Sequence, residues 1–200
     1  MAAIKSQNSS SNQKMPAQEA FSTILTALLK QARQKVPSTF KDLRAKTGLT
    51  VLDVGCGYFR YGKALHSLLL EINPNIRLFA VDRQKYIVDY SPATFIKCDI
   101  TKCQNELKKN KITDIDIFTV FNPFPGIPDL TNIPVSVQRK ALLIGCVDWN
   151  SLAFRESLAK NGFKALLWQE NRFWNSMRPW FNNYDPFVFA VKNNYQLESF

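Results

Sequence analysis

Val51-Leu52-Asp53-Val54-Gly55-Cys56-Gly57-Tyr58-Phe59-Arg60-Tyr61-Gly62 joins two kinds of pattern. Before it, Thr50–Val54 is a β-rich apolar run. After it, Ala64, Leu65, Leu68, Leu69 and Ile72 recur at helical spacing until Asn73-Pro74-Asn75 stops them. The string is therefore a strand-to-helix turn carrying glycines. Glycine lets the backbone approach a ligand closely and adopt conformations that a side chain forbids. The helix start adds unpaired N–H donors and the positive end of a dipole.

Outward from that turn, strands and helices alternate. Ile76–Val81 reads as a second strand ending at Asp82, and Thr94–Lys97 as a third ending near Asp99. A polar helix follows at about 102–110, then a fourth strand at Ile115–Phe121. Ala141–Val147 is an almost unbroken apolar run of the kind a central parallel strand shows. Ser151–Gly162 reads as a helix closed by its glycine, and Lys164–Trp168 and Phe187–Val191 as late strands with no clear helix between them. Two strands in succession after β-α units predict an antiparallel hairpin at the sheet edge. The fold class is α/β, a doubly wound and mostly parallel sheet with helices on both faces. Upstream, Ala17, Ala20, Phe21, Ile24, Leu25, Leu28, Leu29, Ala32 and Val36 mark one face of a helix that Pro37 ends. Three segments result: a flexible lead-in at 1–16, a basic helical segment at 17–48 packing on the core, and the main domain at 49–200.

Composition sets the class. Of the 200 residues, 46% are hydrophobic and 21% charged, which excludes a disordered tail, a collagen-like chain and a disulfide-stapled miniprotein. No run approaches the roughly 18 apolar residues of a membrane helix, and the Ser/Asn/Gln-rich start lacks the apolar segment of a signal peptide; a soluble, cytoplasmic protein is expected. Cys56, Cys98, Cys103 and Cys146 form no C-x-x-C pair and read as reduced thiols, with no metal site. The single histidine, His66, and the absence of G-x-S-x-G argue against a serine hydrolase, and a zinc hydrolase is equally poorly supplied. The net charge is +10, and residues 1–46 carry eight basic residues against two acidic ones. Nucleic acid is the leading polyanion to match that surplus, ahead of an acidic protein or a membrane surface, while a solubilising surface is the plain alternative.

Two ligand classes compete for the turn. A dinucleotide fingerprint needs glycine three positions after the second one, where Arg60 stands, and a pyrophosphate tolerates Asp53 poorly. An acid there suits a cation, such as the sulfonium and α-amino groups of S-adenosylmethionine. At Asp53-Val54-Gly55-Cys56-Gly57 the chain resembles the class I S-adenosylmethionine-dependent methyltransferases, with Phe59 where that family often has a third glycine. Asp82, 25 residues after Gly57, matches the family's acid for the ribose hydroxyls, and a carboxylate can accept two such bonds at once. Asp99 matches the position that contacts the adenine amine. The resemblance runs from about Thr50 to the C-terminus. It implies a Rossmann-like, seven-stranded methyltransferase fold with the C-terminal antiparallel hairpin. It also implies S-adenosylmethionine as cofactor, held by Asp53, Gly55, Cys56, Gly57, Tyr58, Asp82, Arg83, Asp99, Ile100 and Asn122.

The substrate is expected beyond the carboxyl ends of the strands, where Phe121-Asn122-Pro123-Phe124-Pro125-Gly126 follows the fourth strand. This loop is similar to the Asp-Pro-Trp-Pro of tRNA (guanine-N7) methyltransferases, with an amide for the acid and Phe for Trp, but without the basic stretch that follows there. Asn122 and Phe124 are the catalytic candidates: an amide to hold a purine edge or an amine, and a ring to stack on a base. Transfer to a nitrogen whose lone pair is free needs proximity and orientation but no general base. Arg172 and Arg178 among Trp168, Phe173, Trp174, Trp180, Phe181, Tyr184, Phe187 and Phe189 suit single-stranded nucleic acid, although core packing explains such aromatics as well. Lys30, Arg33 and Lys35 cluster at the end of the first helix. RNA is thus the expected partner, through the basic N-terminal helix and the aromatic C-terminal region. A small-molecule or protein methyltransferase, and a non-catalytic module binding RNA or protein, are the rivals.

Overall fold

The computed structural model describes residues 22–23, 25–26, 29–30, 32–84, 90–100, 102, 104–121, 136–146, 152–160, 162–168 and 187–192. The described elements from residue 37 onward are α1 (Pro37–Ala45), β1 (Leu49–Val54), α2 (Gly62–Leu70), β2 (Ile76–Asp82), β3 (Thr94–Lys97), α3 (Gln104–Lys109), β4 (Asp114–Phe121), β5 (Ser136–Cys146), α4 (Leu152–Lys160), β6 (Phe163–Trp168) and β7 (Phe187–Lys192). The strands lie in the order β3-β2-β1-β4-β5-β7-β6. β3, β2, β1, β4 and β5 are mutually parallel, and β7 runs antiparallel to both β5 and β6.

The chain goes from β1 outward through β2 and β3, then returns to place β4 on the other side of β1. Strand order therefore reverses between β1 and β4, and a crevice opens beyond their carboxyl ends. Both faces of the sheet are covered, which is why its strands read as apolar runs and not as alternating ones. Residues 115–121 of β4 are all buried. On one face Val51, Ile117 and Phe121 pack with Leu65, Leu68 and Leu69 of α2 and with Leu25, Leu29, Ala32 and Leu43. On the other, Leu52, Phe118 and Val120 pack with Leu107 of α3 and Leu158 of α4.

Two expectations need correcting. Pro37 does more than end a helix: residues 32–35 are helical, Val36 is a break, and Pro37 opens α1 at its first turn. Proline's missing N–H would be unpaired there in any case, and its φ is already helical. The fifth strand begins at Ser136, five residues before the apolar run at Ala141, and ends at Cys146. Gln138, Arg139 and Lys140 hid this polar beginning, and its pairing with β4 shifts register between Ile115 and Ile117.

The stop signal at Asn73 has a tertiary role. Its buried amide donates to the carbonyls of Leu43 and Lys46, at 3.0 and 2.9 Å, and its side-chain oxygen accepts from the Asn75 amide at 2.8 Å. Asp116 on β4 pairs with Lys46 and accepts from the Thr50 amide at 2.8 Å. These bonds fasten α1 to the strand-start edge, opposite the crevice. Residues 1–21 lie outside the described residues. No described helix is long and apolar enough to cross a membrane.

Candidate functional site

The glycine turn sits at the strand reversal. Gly55 and Cys56 both donate to the Val81 carbonyl, at 2.9 and 3.2 Å, which pins the turn to the end of β2. Gly55 and Gly57 have φ of 71° and 50°, where glycine is strongly favoured. A Cβ built on either would meet nothing within 4 Å, so the turn borders open space. Phe59 also has a positive φ, 48°, which accounts for glycine being common at that position in the family it resembles. Here the Phe59 ring is buried over Gly62, where an added Cβ would stand 2.2 Å from it.

The acids at the strand ends have unequal surroundings. The Asp82 carboxylate accepts from the Gly57 amide and from the Gln84 amide, both at 2.9 Å. That uses two of about four acceptor positions on a carboxylate. Asp53 is fully buried, and both of its described partners are neutral hydroxyls: Tyr61 donates at 2.7 Å and Thr119 at 2.5 Å. Burial pushes its pKa up to about 7, against the lowering effect of those two bonds and with a further push from the Asp82 charge. Asp99 is exposed where the chain leaves β3. Cys98 donates to the Asp82 carbonyl at 2.9 Å, so Asp99 emerges beside the end of β2.

The other expected cofactor residues divide by exposure. Ile100 is buried in the second core face, and Arg83 is exposed. Tyr58 is exposed, with the Arg60 guanidinium 5.2 Å from its ring centre. Cys56 is buried, and its thiol pKa is driven well up by burial and then by the Asp53 and Asp82 charges. It is a protonated packing group and not a nucleophile. β4 ends at Phe121, on the carboxyl side of the sheet where the crevice lies. Asn122 and Phe124, which follow, lie outside the described residues, as do 169–186 with most of the aromatic C-terminal cluster.

Three participants were missed in the sequence. Tyr61 and Thr119 hold Asp53, and Tyr90 donates its hydroxyl to the Gly57 carbonyl at 3.0 Å. Thr119 had left a trace, a lone polar residue inside Ile117-Phe118-Thr119-Val120. Tyr90 had left none. The rings of Tyr90 and Tyr61 belong to a continuous aromatic line: Phe95 to Tyr90 at 4.3 Å, Tyr90 to Phe59 at 6.0 Å, Phe59 to Tyr61 at 5.3 Å and Tyr61 to Phe121 at 5.2 Å.

The residues present suit a cationic nucleoside. The turn leaves room at two glycines, an acid with spare acceptor positions stands at its base, and a second buried acid has no described cationic partner. No protein family model matches the sequence, and no curated protein matches it. Solved structures do. One is a magnesium protoporphyrin IX methyltransferase from Synechocystis PCC 6803 with bound SAH, at 13% identity over 94% of this chain and 90% of that one, with a TM-score of 0.50. Another is the fibrillarin pre-rRNA processing protein of Methanococcus jannaschii, at 15% identity over 74% of this chain and 68% of that one, also with a TM-score of 0.50. At such identities the likeness is one of backbone architecture, and it agrees with the strand order and the glycine turn: the chain has the fold of the class I S-adenosylmethionine-dependent methyltransferases.

Proposed function

We propose that this protein is a methyltransferase that uses S-adenosylmethionine and acts on RNA. The observation that carries the cofactor assignment is the open Gly55–Gly57 turn at the β1/β4 strand reversal, with Asp82 bonded to its Gly57 amide. In this reading Asp82 spends its remaining acceptor positions on the ribose hydroxyls, and Asp99 and Ile100 border the adenine. Tyr58 and Arg83 flank the opening, and Asp53 favours positive charge beside the turn. The cofactor supplies a methyl group activated by its sulfonium. What the chain contributes is orientation and exclusion of water, with Asn122 and Phe124 assigned to the acceptor base. The finer architecture belongs to the same proposal: a complete seven-stranded methyltransferase sheet whose β6 and β7 form its C-terminal hairpin, residues 49–200 as the catalytic domain, and a cytoplasmic site of action.

The RNA assignment rests on the net charge of +10 and on where the basic residues fall. Lys30 and Arg33 rim a cavity of about 360 Å³, lined also by Thr26, Leu29, Gln34, Leu68 and Glu71. Arg33 pairs with Glu71 at 3.4 Å, just past the C-terminal end of α2, whereas the glycine turn precedes its N-terminal end. A nine-residue helix is about 14 Å long. A substrate touching both places must exceed a single nucleotide, which favours a polymer.

Calorimetric titration with S-adenosylmethionine, followed by transfer of its labelled methyl group to fractionated cellular RNA, tests both assignments. Micromolar binding with label entering an RNA fraction is expected. Binding without transfer to any acceptor class would instead support a non-catalytic module, and label entering protein would redirect the substrate. Reversing Lys30, Arg33 and Lys35 to Glu is expected to weaken RNA binding and to flatten its salt dependence. Three lost phosphate contacts to a single strand take about 2 from the log–log slope. An unaltered slope would remove the first helix from the RNA surface.

A further inference from the structure

The two peptide units that flank the Gly57 Cα are each held, from different directions. The Gly57 N–H donates to Asp82 at the end of β2, and the Gly57 carbonyl accepts from the Tyr90 hydroxyl in the segment leading into β3. The methyltransferase reading uses the first of these bonds and not the second. Two successive peptide planes, each anchored on its own side of the Gly57 Cα, leave little freedom in the φ and ψ between them, and glycine, here at φ 50°, is the residue with most such freedom to lose.

We propose that Tyr90 is a positioning residue that presets the glycine turn for the cofactor, an inference that rests on the S-adenosylmethionine reading above. The phenol can act this way because its ring is itself held. It stacks on Phe95 at 4.3 Å with planes 20° apart and on Phe59 at 6.0 Å with planes 21° apart. Phe59 belongs to the turn and is buried against Gly62, so ring and hydroxyl of Tyr90 both grip the same loop, one through packing and the other through a hydrogen bond. Phe95 lies on β3, which pairs with β2 through Ala80. The grip therefore connects the turn to the strand beyond Asp82. A cofactor that meets a turn already in its bound shape does not spend affinity on ordering it.

The division of labour is testable because the ring and the hydroxyl can be separated. Tyr90→Phe keeps the stacking and removes the hydroxyl with its bonds to the turn, at the Gly57 carbonyl and the Cys56 thiol, while Tyr90→Leu removes the stacking as well. Calorimetry with S-adenosylmethionine should show the affinity of Tyr90→Phe lowered about tenfold at a temperature where the protein is fully folded. In the cofactor-free protein, hydrogen exchange at the Gly57 amide should quicken in Tyr90→Phe while the β1 amides keep their rates. A merely structural tyrosine would alter the thermal midpoint and the β1 amides but would not single out Gly57 or the cofactor. If wild type binds and Tyr90→Phe binds equally well with unchanged exchange at Gly57, the positioning role is overturned and the methyltransferase reading stands. If wild type itself does not bind S-adenosylmethionine, that reading falls and the role given to Tyr90 falls with it.

Discussion

Asp82→Ala is expected to lower the affinity for S-adenosylmethionine by at least about 100-fold while leaving the fold intact. The carboxylate does two things in the proposed site. It anchors the Gly57 amide at 2.9 Å, and it offers its free acceptor positions to the ribose. A hydrogen bond to a charged group contributes about 1.5–3 kcal/mol, so losing the anchor and one ribose contact together accounts for the drop. Asp82 is only half-buried and its backbone ties are independent of the side chain, since the Cys98 amide reaches its carbonyl and not its carboxylate. The β2–β3 pairing should therefore survive the substitution. Calorimetry on wild type and Asp82→Ala, with circular dichroism as the folding control, measures the effect. A well-folded Asp82→Ala protein with undiminished affinity would remove Asp82 from the ribose and leave it as a loop anchor alone.

The second large effect concerns pH. The folded chain keeps the Asp53 proton up to about pH 7, against 3.8 for the ordinary side chain. Between those values the folded state binds more protons than the unfolded state, so this residue's contribution to stability is complete below about pH 4 and is lost as pH rises through 7. A separation of about three pKa units corresponds to a loss on the order of 4 kcal/mol. Asp53→Asn resembles the protonated form: it is neutral, and its amide can exchange hydrogen bonds with the hydroxyls of Tyr61 and Thr119. The difference in unfolding free energy between Asp53→Asn and wild type should therefore grow in favour of Asn from pH 4 to pH 8, with other titrating groups cancelling. Urea unfolding of both proteins across that range measures it. Parallel curves would show that Asp53 is ionised throughout, its charge met within the fold.

The same acid bears on the cofactor. A buried carboxylate whose described partners are two hydroxyls has no described counter-charge of its own, and an incoming cation would supply one. Affinity of the wild type for S-adenosylmethionine is then expected to exceed that of Asp53→Asn at pH 8 and to approach it at pH 5.5. Equal affinities at both values would detach Asp53 from the cation.

The sequence by itself determined the parts that depend on local chemistry and on period. The β-α alternation, the glycine turn and the acids at three successive strand ends are short-range patterns, because a strand buried on both faces must be apolar and a tight turn at positive φ favours glycine. It also showed where departures from the family it resembles fall, at Phe59. Only the tertiary structure decided what those residues touch. Asp53 and Thr119 are 66 positions apart and meet because β1 and β4 pair in register. Tyr90 and Gly57 are 33 apart and meet because β3 lies beyond β2. Phe59 can stand where glycine is common because its ring fills the space that Gly62 leaves empty. Contacts of that kind are made by strand order and packing, which no run of neighbouring residues encodes. Tyr90 was therefore invisible in the sequence, while Asp82 was legible there.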